Sequence, residues 1–379
     1  LSARSVLEVR VVPAVRAGVR SPVSELLSAT SNVFENVFHG DTLRRMRTRA
    51  TIHDVAAAAG VSVATVSKAV NGRYGVAPAT VQRVLTAVEE LGYESSLVAS
   101  SMRARQTGVV GVLVADFEPF SAEVLKGVGA ALRDSRLDLL AYSGSRAVSS
   151  DGWERRSLSR LSGTLVDGVI MVTPTVVNVT AEVPVVAIDP HTGPADLPTV
   201  ESDSFAGARH AVAYLVSLGH RRIGFVAGRP DLRSSMLREG GYRRALEDAR
   251  IPFDPGLVGV GRYVEDISRE AATRLLRRPD RPTAVFAAND VSALTVIRVA
   301  HEHGLSVPED LSVVGFDDVP DASQSVPALT TVRQPMQRLG AEAVTMLLEL
   351  MGGGTPAATH LRLPTALVPR ATTAAPTAG

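Results

Sequence analysis

The chain has 379 residues, too many for one ordinary domain and suited to two or three. Its 45% hydrophobic and 21% charged content is that of a globular protein, and a net charge of +1 leaves partners to be read from local clusters. The absence of cysteine excludes disulfides and thiolate metal sites and fits a cytoplasmic location, and no apolar run approaches the roughly 18–20 residues of a membrane span.

Residues 1–46 carry Arg4, Arg10, Arg16, Arg20, Arg44 and Arg45 with Pro13 and Pro22, and show no helical period. They are expected to be an extension, either disordered or lying upstream of a true start at Met46. A helical headpiece is expected over 47–93. Thr51 with Asp54 three residues on makes a capping box, and Ile52, Val55, Ala56 and Ala59 recur on one helical face. Gly60 ends this helix, and Ser62 caps a second over 63–71 that turns Val66 and Val70 inward. The other face of that helix carries Ala64, Ser67, Lys68 and Asn71. A third helix starts near Pro78, buries Val81, Val84, Leu85, Val88 and Leu91, and stops at Gly92. Three short helices with a four-residue turn between the first two make a helix-turn-helix, although any small helical bundle shows similar stripes. Residues 47–107 hold seven basic against four acidic side chains, the sign that phosphate contact needs.

Residues 94–107 read as a hinge, in which Ser95 and Ser96 can cap a brief helix over 97–104. From 108 to 370 short β-branched runs alternate with amphipathic ones. The runs 109–114, 137–142, 168–173, 183–189, 222–228, 283–289 and 311–317 are apolar on both faces, as buried parallel strands are. Helical stretches at 122–134, 205–218 and 291–303 lie between them. The fold class is therefore α/β, an all-α headpiece followed by a doubly wound core, and so many units call for two lobes with a cleft. Ligands in such sheets sit at the carboxyl ends of strands. Asp116 and Phe120, Asp189, Asn289 and Asp290, and Asp317 and Asp318 all fall at strand ends, with Arg238 at the start of a helix. Carboxylates, an amide and an arginine beside aromatic rings suit sugar recognition, although Asp and Asn, including Asp203, also end strands as turn and cap residues. Residues 371–379 read as a small polar tail.

The segment TIHDVAAAAGVSVATVSKAVNG and the later VLTAVEELGY resemble the headpiece of LacI/GalR transcriptional regulators. IGFVAG, the Arg-x-x-Gly-Tyr unit at 238–242, SVVGFDD and LTTVRQP resemble segments of the same family's core. The resemblance implies a homodimeric repressor of operator DNA controlled by a small-molecule effector, a sugar by default, bound between periplasmic-binding-protein-like lobes. It implies DNA contact by Thr51, Ser62, Val63, Ala64, Thr65, Ser67, Lys68 and Asn71, with Val63, Ala64 and Lys68 reading base edges. Lys68 stands where many relatives carry arginine, and lysine cannot make the planar two-pronged bond to guanine. Met102 matches the apolar side chain that wedges into the minor groove from the hinge. Effector contact is implied for Asp116, Phe120, Asp189, Arg238, Tyr263, Asn289 and Asp317, while Gln334 and Met336 flank a lobe crossover. The first core helix, about 122–134, is implied in dimerisation.

Two other classes read less well. An enzyme would need a catalytic constellation, but Asp317 and Asp318 are adjacent and on a strand would point to opposite sides, and no phosphate loop or nucleophile elbow occurs. His301-Glu302-His303 lacks a third metal ligand, so neither a metal nor a cofactor is expected. A plain solute-binding protein has no use for residues 51–107.

Overall fold

A computed structural model describes residues 50–70, 75–91, 106–144, 152–162, 165–176, 179–191 and 197–377. The expected extension over 1–46, Asn71, Gly92 and the hinge up to residue 105, Met102 included, lie outside the described residues. The chain divides into two compact units at Ser95/Ser96.

In the first unit, helix α1 (Ile52–Ala59) opens on the capping box: Thr51 N donates to Asp54 Oδ2 at 2.7 Å and Asp54 N donates to Thr51 Oγ1 at 3.4 Å. Gly60 closes it at φ 63°, the left-handed conformation that only glycine adopts without strain. Helix α2 (Val63–Val70) starts at Ser62, whose Oγ accepts from Thr65 N at 3.2 Å, and α3 (Pro78–Leu91) follows. Val55, Val66 and Val84 are fully buried among Ala56, Ala59, Ala69 and Ala87, and these small side chains let three short helices approach closely. Leu85, expected in the core, is 42% exposed. Ala87, three residues from Val84 and four from Leu91, holds the inward position instead.

The second unit consists of two α/β lobes. The chain runs β1 (Val109–Val114), α4 (Pro119–Leu132), β2 (Asp138–Ser143), α5 (Trp153–Leu161), β3 (Gly168–Val172), β4 (Val185–Ile188) and β5 (Thr199–Ser202). It continues through α6 (Ser204–Ser217), β6 (Ile223–Ala227), α7 (Arg233–Asp248), β7 (Val258–Val260), α8 (Glu265–Leu276), β8 (Ala284–Ala287) and α9 (Asp290–Glu302). Strand β9 (Ser312–Val314), α10 (Pro320–Gln324), β10 (Thr331–Arg333), α11 (Met336–Met351), β11 (His360–Leu363) and β12 (Ala366–Val368) complete it. Lobe 1 is a parallel sheet ordered β11-β5-β4-β3-β1-β2, and lobe 2 a parallel sheet ordered β7-β6-β8-β9, with β10 and β12 antiparallel beside α6. The chain therefore crosses between lobes three times, after β5, β10 and β11.

Strands β1, β3, β4, β6 and β8 are buried along their length, as their unbroken apolar runs require when both faces are covered. The run at 137–142 departs from that expectation: β2 is the edge of its sheet, with no described strand on its outer side, and Leu139 is 39% exposed. The residues after Arg370 also differ from a free tail. Val313 N donates to Thr372 O at 2.8 Å, Thr372 Oγ1 donates to Val313 O at 2.6 Å, and Thr372 is fully buried. Lobe 2 thus extends beyond residue 370.

Candidate functional site

The carboxyl ends of β3 and β4 in lobe 1 and of β8 in lobe 2, with the loop after β9, face one cavity of about 200 Å³. Six of the seven side chains expected to meet an effector line it: Phe120 and Asp189 from lobe 1, and Arg238, Tyr263, Asn289 and Asp317 from lobe 2. Asp116 does not. It is exposed, and its Oδ1 accepts from Phe117 N at 2.8 Å, the local turn bond of an Asp after a strand. Glu118, Thr173, His191 and Ser234 also line the cavity and were not singled out in the sequence. Each sits at a strand end or helix start, so the strand-end rule could have flagged them, but their residue types alone do not.

Arg238 organises the lobe 2 wall. It is 5% exposed, and its guanidinium lies over the Phe316 ring at 3.9 Å and near the Tyr263 ring at 5.7 Å. Its Nη1 donates to Ala288 O at 2.5 Å, its Nε to Ser204 Oγ at 3.4 Å, and its Nη2 lies 3.6 Å from Asp317 Oδ1. A planar cation held by a ring face, a carbonyl and a carboxylate is fixed in orientation before any ligand arrives.

A buried relay joins the lobes at this cavity. Gln334 Nε2 donates to Asp317 Oδ1 at 2.6 Å, Ser202 Oγ donates to Gln334 Oε1, and Ser202 N donates to Asp189 Oδ1 at 2.9 Å. Burial pushes the Asp189 carboxyl up to about 6 despite the Ser202 amide that favours its charged form. Burial likewise pushes Asp317 up to about 7, against the pull of Arg238 and Gln334. His191 moves the other way, down to about 4, first through burial and then through Arg229 and Arg238. The backbone is strained at the same place: Thr173, Asp189, Tyr263 and Asp317 have φ of 49°, 45°, 67° and 122°. Left-handed conformations of residues with side chains cost free energy and gather where a fold aims particular groups at a ligand.

Other strand-end polar residues have structural work. Asp203 caps α6 by accepting from Ala206 N at 3.0 Å, and Asn289, besides lining the cavity, caps α9 through Ser292 N at 3.0 Å. Asp290 is fully buried, accepts from Val319 N and Thr331 Oγ1, and is pushed well above the usual carboxylate range by burial and by Asp317. Asp318 pairs with Arg333 and Arg370. In the headpiece, Ala64 and Lys68 are exposed on α2 while Val63, Thr65 and Ser67 are half-buried. Thr51 and Ser62 are caps, so their hydroxyls fix where two helices start. Among the described residues no His, Asp or Glu cluster suits a metal ion, and no helix is long and apolar enough to cross a membrane.

A helix-turn-helix carried on the same chain as a two-lobed core with a polar cleft defines a ligand-responsive DNA-binding regulator. Residues 51–96 match the pattern of bacterial regulatory proteins of the lacI family, and residues 212–373 match a periplasmic binding protein-like domain. Over 322 residues the chain is 34% identical to catabolite control protein A of Priestia megaterium, covering 83% of this chain and 96% of that one. It is 34% identical over 339 residues to the HTH-type transcriptional regulator CelR of Thermobifida fusca, covering 86% and 98%. Among solved structures, the Lac repressor dimer bound to operator and the anti-inducer ONPF aligns at a TM-score of 0.75 and 29% identity, over 86% of this chain and all of that one. A CelR–cellobiose complex aligns at 0.65 and 34% identity with the same coverage. The chain belongs to the lacI family of bacterial regulatory proteins and is a DNA-binding transcriptional regulator.

Proposed function

We propose that this regulator is a cytoplasmic, homodimeric repressor whose operator affinity is set by a small polyhydroxylated effector, a sugar by class, held between the lobes. The observation that carries the reading is the convergence of Asp189, Arg238, Asn289 and Asp317 with the Phe120 and Tyr263 rings on one cavity. Carboxylates and a guanidinium bind hydroxyls by charge-assisted bonds, and rings cover the C–H faces of a sugar. The cellobiose complex of CelR and the operator complex of the Lac repressor support it by likeness.

In this reading Val63, Ala64 and Lys68 meet base edges, a small apolar pair against a thymine methyl and a cation against guanine N7 or O6. Thr51, Ser62, Thr65, Ser67 and Asn71 contact or position the backbone, and Met102 wedges at the operator centre. The role is binding rather than catalysis. Selection from random duplex DNA by the full chain tests it, with and without a panel of sugars. A near-palindromic site whose enrichment shifts with one sugar is expected, and Lys68→Ala should relax base choice at one position in each half-site. Purely salt-dependent binding without sequence enrichment refutes the reading.

A further inference from the structure

At Asp317 the backbone strain of the cavity wall runs on into the next residue. Asp317 and Asp318 have φ of 122° and 62°, which glycine adopts freely and residues with side chains adopt at a cost. Asp317 lines the cavity, which gives its strain a purpose; Asp318 does not line it. The backbone on either side of Asp318 is pinned. Asp317 N donates to Val332 O at 2.8 Å, and Val319 N donates to Asp290 Oδ2 at 2.9 Å. Between these pins the Asp318 side chain is 7% exposed and held at both oxygens. Its Oδ1 accepts from Arg370 Nη2 at 2.6 Å, and its Oδ2 accepts from Arg333 Nε at 2.7 Å.

The two arginines are unequal holders. The Arg333 side chain is 58% exposed, and an exposed pair contributes little. The Arg370 side chain is 17% exposed and the residue is itself anchored: its N donates to Thr330 Oγ1 at 2.9 Å, and its Nη1 donates to Leu329 O at 2.8 Å. Two residues on, Thr372 is buried and bonded to Val313 of β9. The segment after β12 is thus a strap that carries a fixed cation to the strained turn. A charge-assisted bond to a buried carboxylate offsets the cost of a left-handed residue.

We propose that Asp318 and Arg370 are positioning residues for effector binding, which hold the Asp317 carboxylate in the cavity without lining it themselves. The inference rests on the reading of the cleft as the effector site. With the clamp released, the backbone at 317–318 relaxes, Asp317 turns away, and only the fraction of chains that keep it in place binds. The test joins crystal structures of the ligand-free parent and Arg370→Met to calorimetric titration of the full chain with a panel of uncharged mono- and disaccharides. The Asp317 carboxylate lies in the cavity of the parent and is withdrawn in Arg370→Met. The sugar that the parent binds is held about tenfold more weakly by Arg370→Met, and Arg370→Lys, which keeps a cation beside Asp318, recovers part of that loss. Asp318→Gly and Asp318→Ala lose the same two ion pairs, but only glycine takes a φ of 62° without cost. Asp318→Gly therefore binds the sugar about fivefold more tightly than Asp318→Ala. A role confined to stability would move the melting temperatures of these variants and leave the sugar affinity of the folded chain alone; circular dichroism shows that each variant is folded. Three results overturn the proposal: Arg370→Met binding as tightly as the parent, Asp317 in the same place in both crystals, or equal affinities for the glycine and alanine variants. Arg238→Ala, which removes a side chain that lines the cavity, separates the levels. If it loses the sugar while Arg370→Met does not, the cleft reading stands and the positioning role falls. If neither loses it, or no sugar binds the parent, the cleft reading falls and the inference with it.

Discussion

Asp189 combines a left-handed backbone, a desolvated carboxyl and a position at the cavity wall, and these properties have a measurable consequence. Its carboxyl titrates near 6 in the folded chain against about 3.8 without burial, so folding takes up a proton between those values. The stability that this proton supplies is fully present below about pH 4, declines as pH rises, and is gone above about pH 6. An asparagine side chain in its place would be neutral throughout, and asparagine tolerates the positive φ that Asp189 adopts. In ligand-free thermal melts, Asp189→Asn should therefore gain on the parent as pH rises from 4 to 6, by about 3 kcal/mol at most, and stay level above that. A difference that does not change with pH would mean Asp189 is not desolvated as described. Asp189, Arg238, Asn289 and Asp317 were legible in the sequence because each is a polar residue closing an apolar run or opening a helix. His191 was not, because lining the cavity is a property of its neighbours in space and not of its place in the chain. Asp116 is the opposite case, a strand-end carboxylate that accepts from its own turn and does not line the cavity.

At the scale of elements, the headpiece depends on caps more than on core volume, since alanines make up much of its interior. Thr51→Ala and Ser62→Ala should each cost the headpiece about 1 kcal/mol, the usual worth of an N-cap. Limited proteolysis should then cut more readily within residues 51–91 while fragments of the core persist; unchanged cleavage would show that the caps contribute nothing. In lobe 1 the critical contact is between α4 and α11. A Cβ on Gly127 would lie 1.9 Å from Gln337 O, so Gly127→Ala must push the helices apart. A loss of about 2 kcal/mol or more is expected in chemical denaturation of the full chain, and a neutral result would show that α4 shifts freely. The same packing explains which elements the sequence revealed. β1, β3, β4, β6 and β8 are buried on both faces and read as continuous apolar runs. β5 (TVES), β7 (VGV) and β11 (HLRL) carry polar residues or glycine, and they become strands because a neighbouring strand supplies the ladder. Leu85 was misjudged for a related reason: a three-helix core this small has no room for every apolar residue along the stripe.

For the core as a whole, the question is what holds the lobes together around the cavity beyond three chain crossings. Among the described residues, the ties include the Asp317–Gln334–Ser202–Asp189 relay and the meeting of Arg233 with lobe 1. Arg233, at the start of α7, pairs through its guanidinium with Glu201 of β5, and its backbone N–H donates to His191 O. Glu201 also pairs with Arg362 of β11, within its own lobe. Arg233→Ala therefore removes the side-chain part of the inter-lobe contact, keeping the backbone bond to His191, without leaving Glu201 as an unpaired charge, whereas Glu201→Gln would disturb both pairs. The bridge is partly exposed, so its loss should disfavour the arrangement in which Arg233 meets Glu201 by about 1 kcal/mol, and apparent affinity for an effector that binds that arrangement should fall by up to about fivefold. Small-angle scattering of the ligand-free variant should show a larger radius of gyration than the parent. Coupling requires a further effect: a ligand alters operator affinity only by favouring one lobe arrangement, and the variant biases the same equilibrium in the opposite sense. Operator affinity of ligand-free Arg233→Ala should accordingly move away from the liganded value, whether the ligand strengthens or weakens DNA binding. Weaker effector binding with unchanged scattering and operator affinity would instead make Arg233 a contact of the cleft that plays no part in lobe closure.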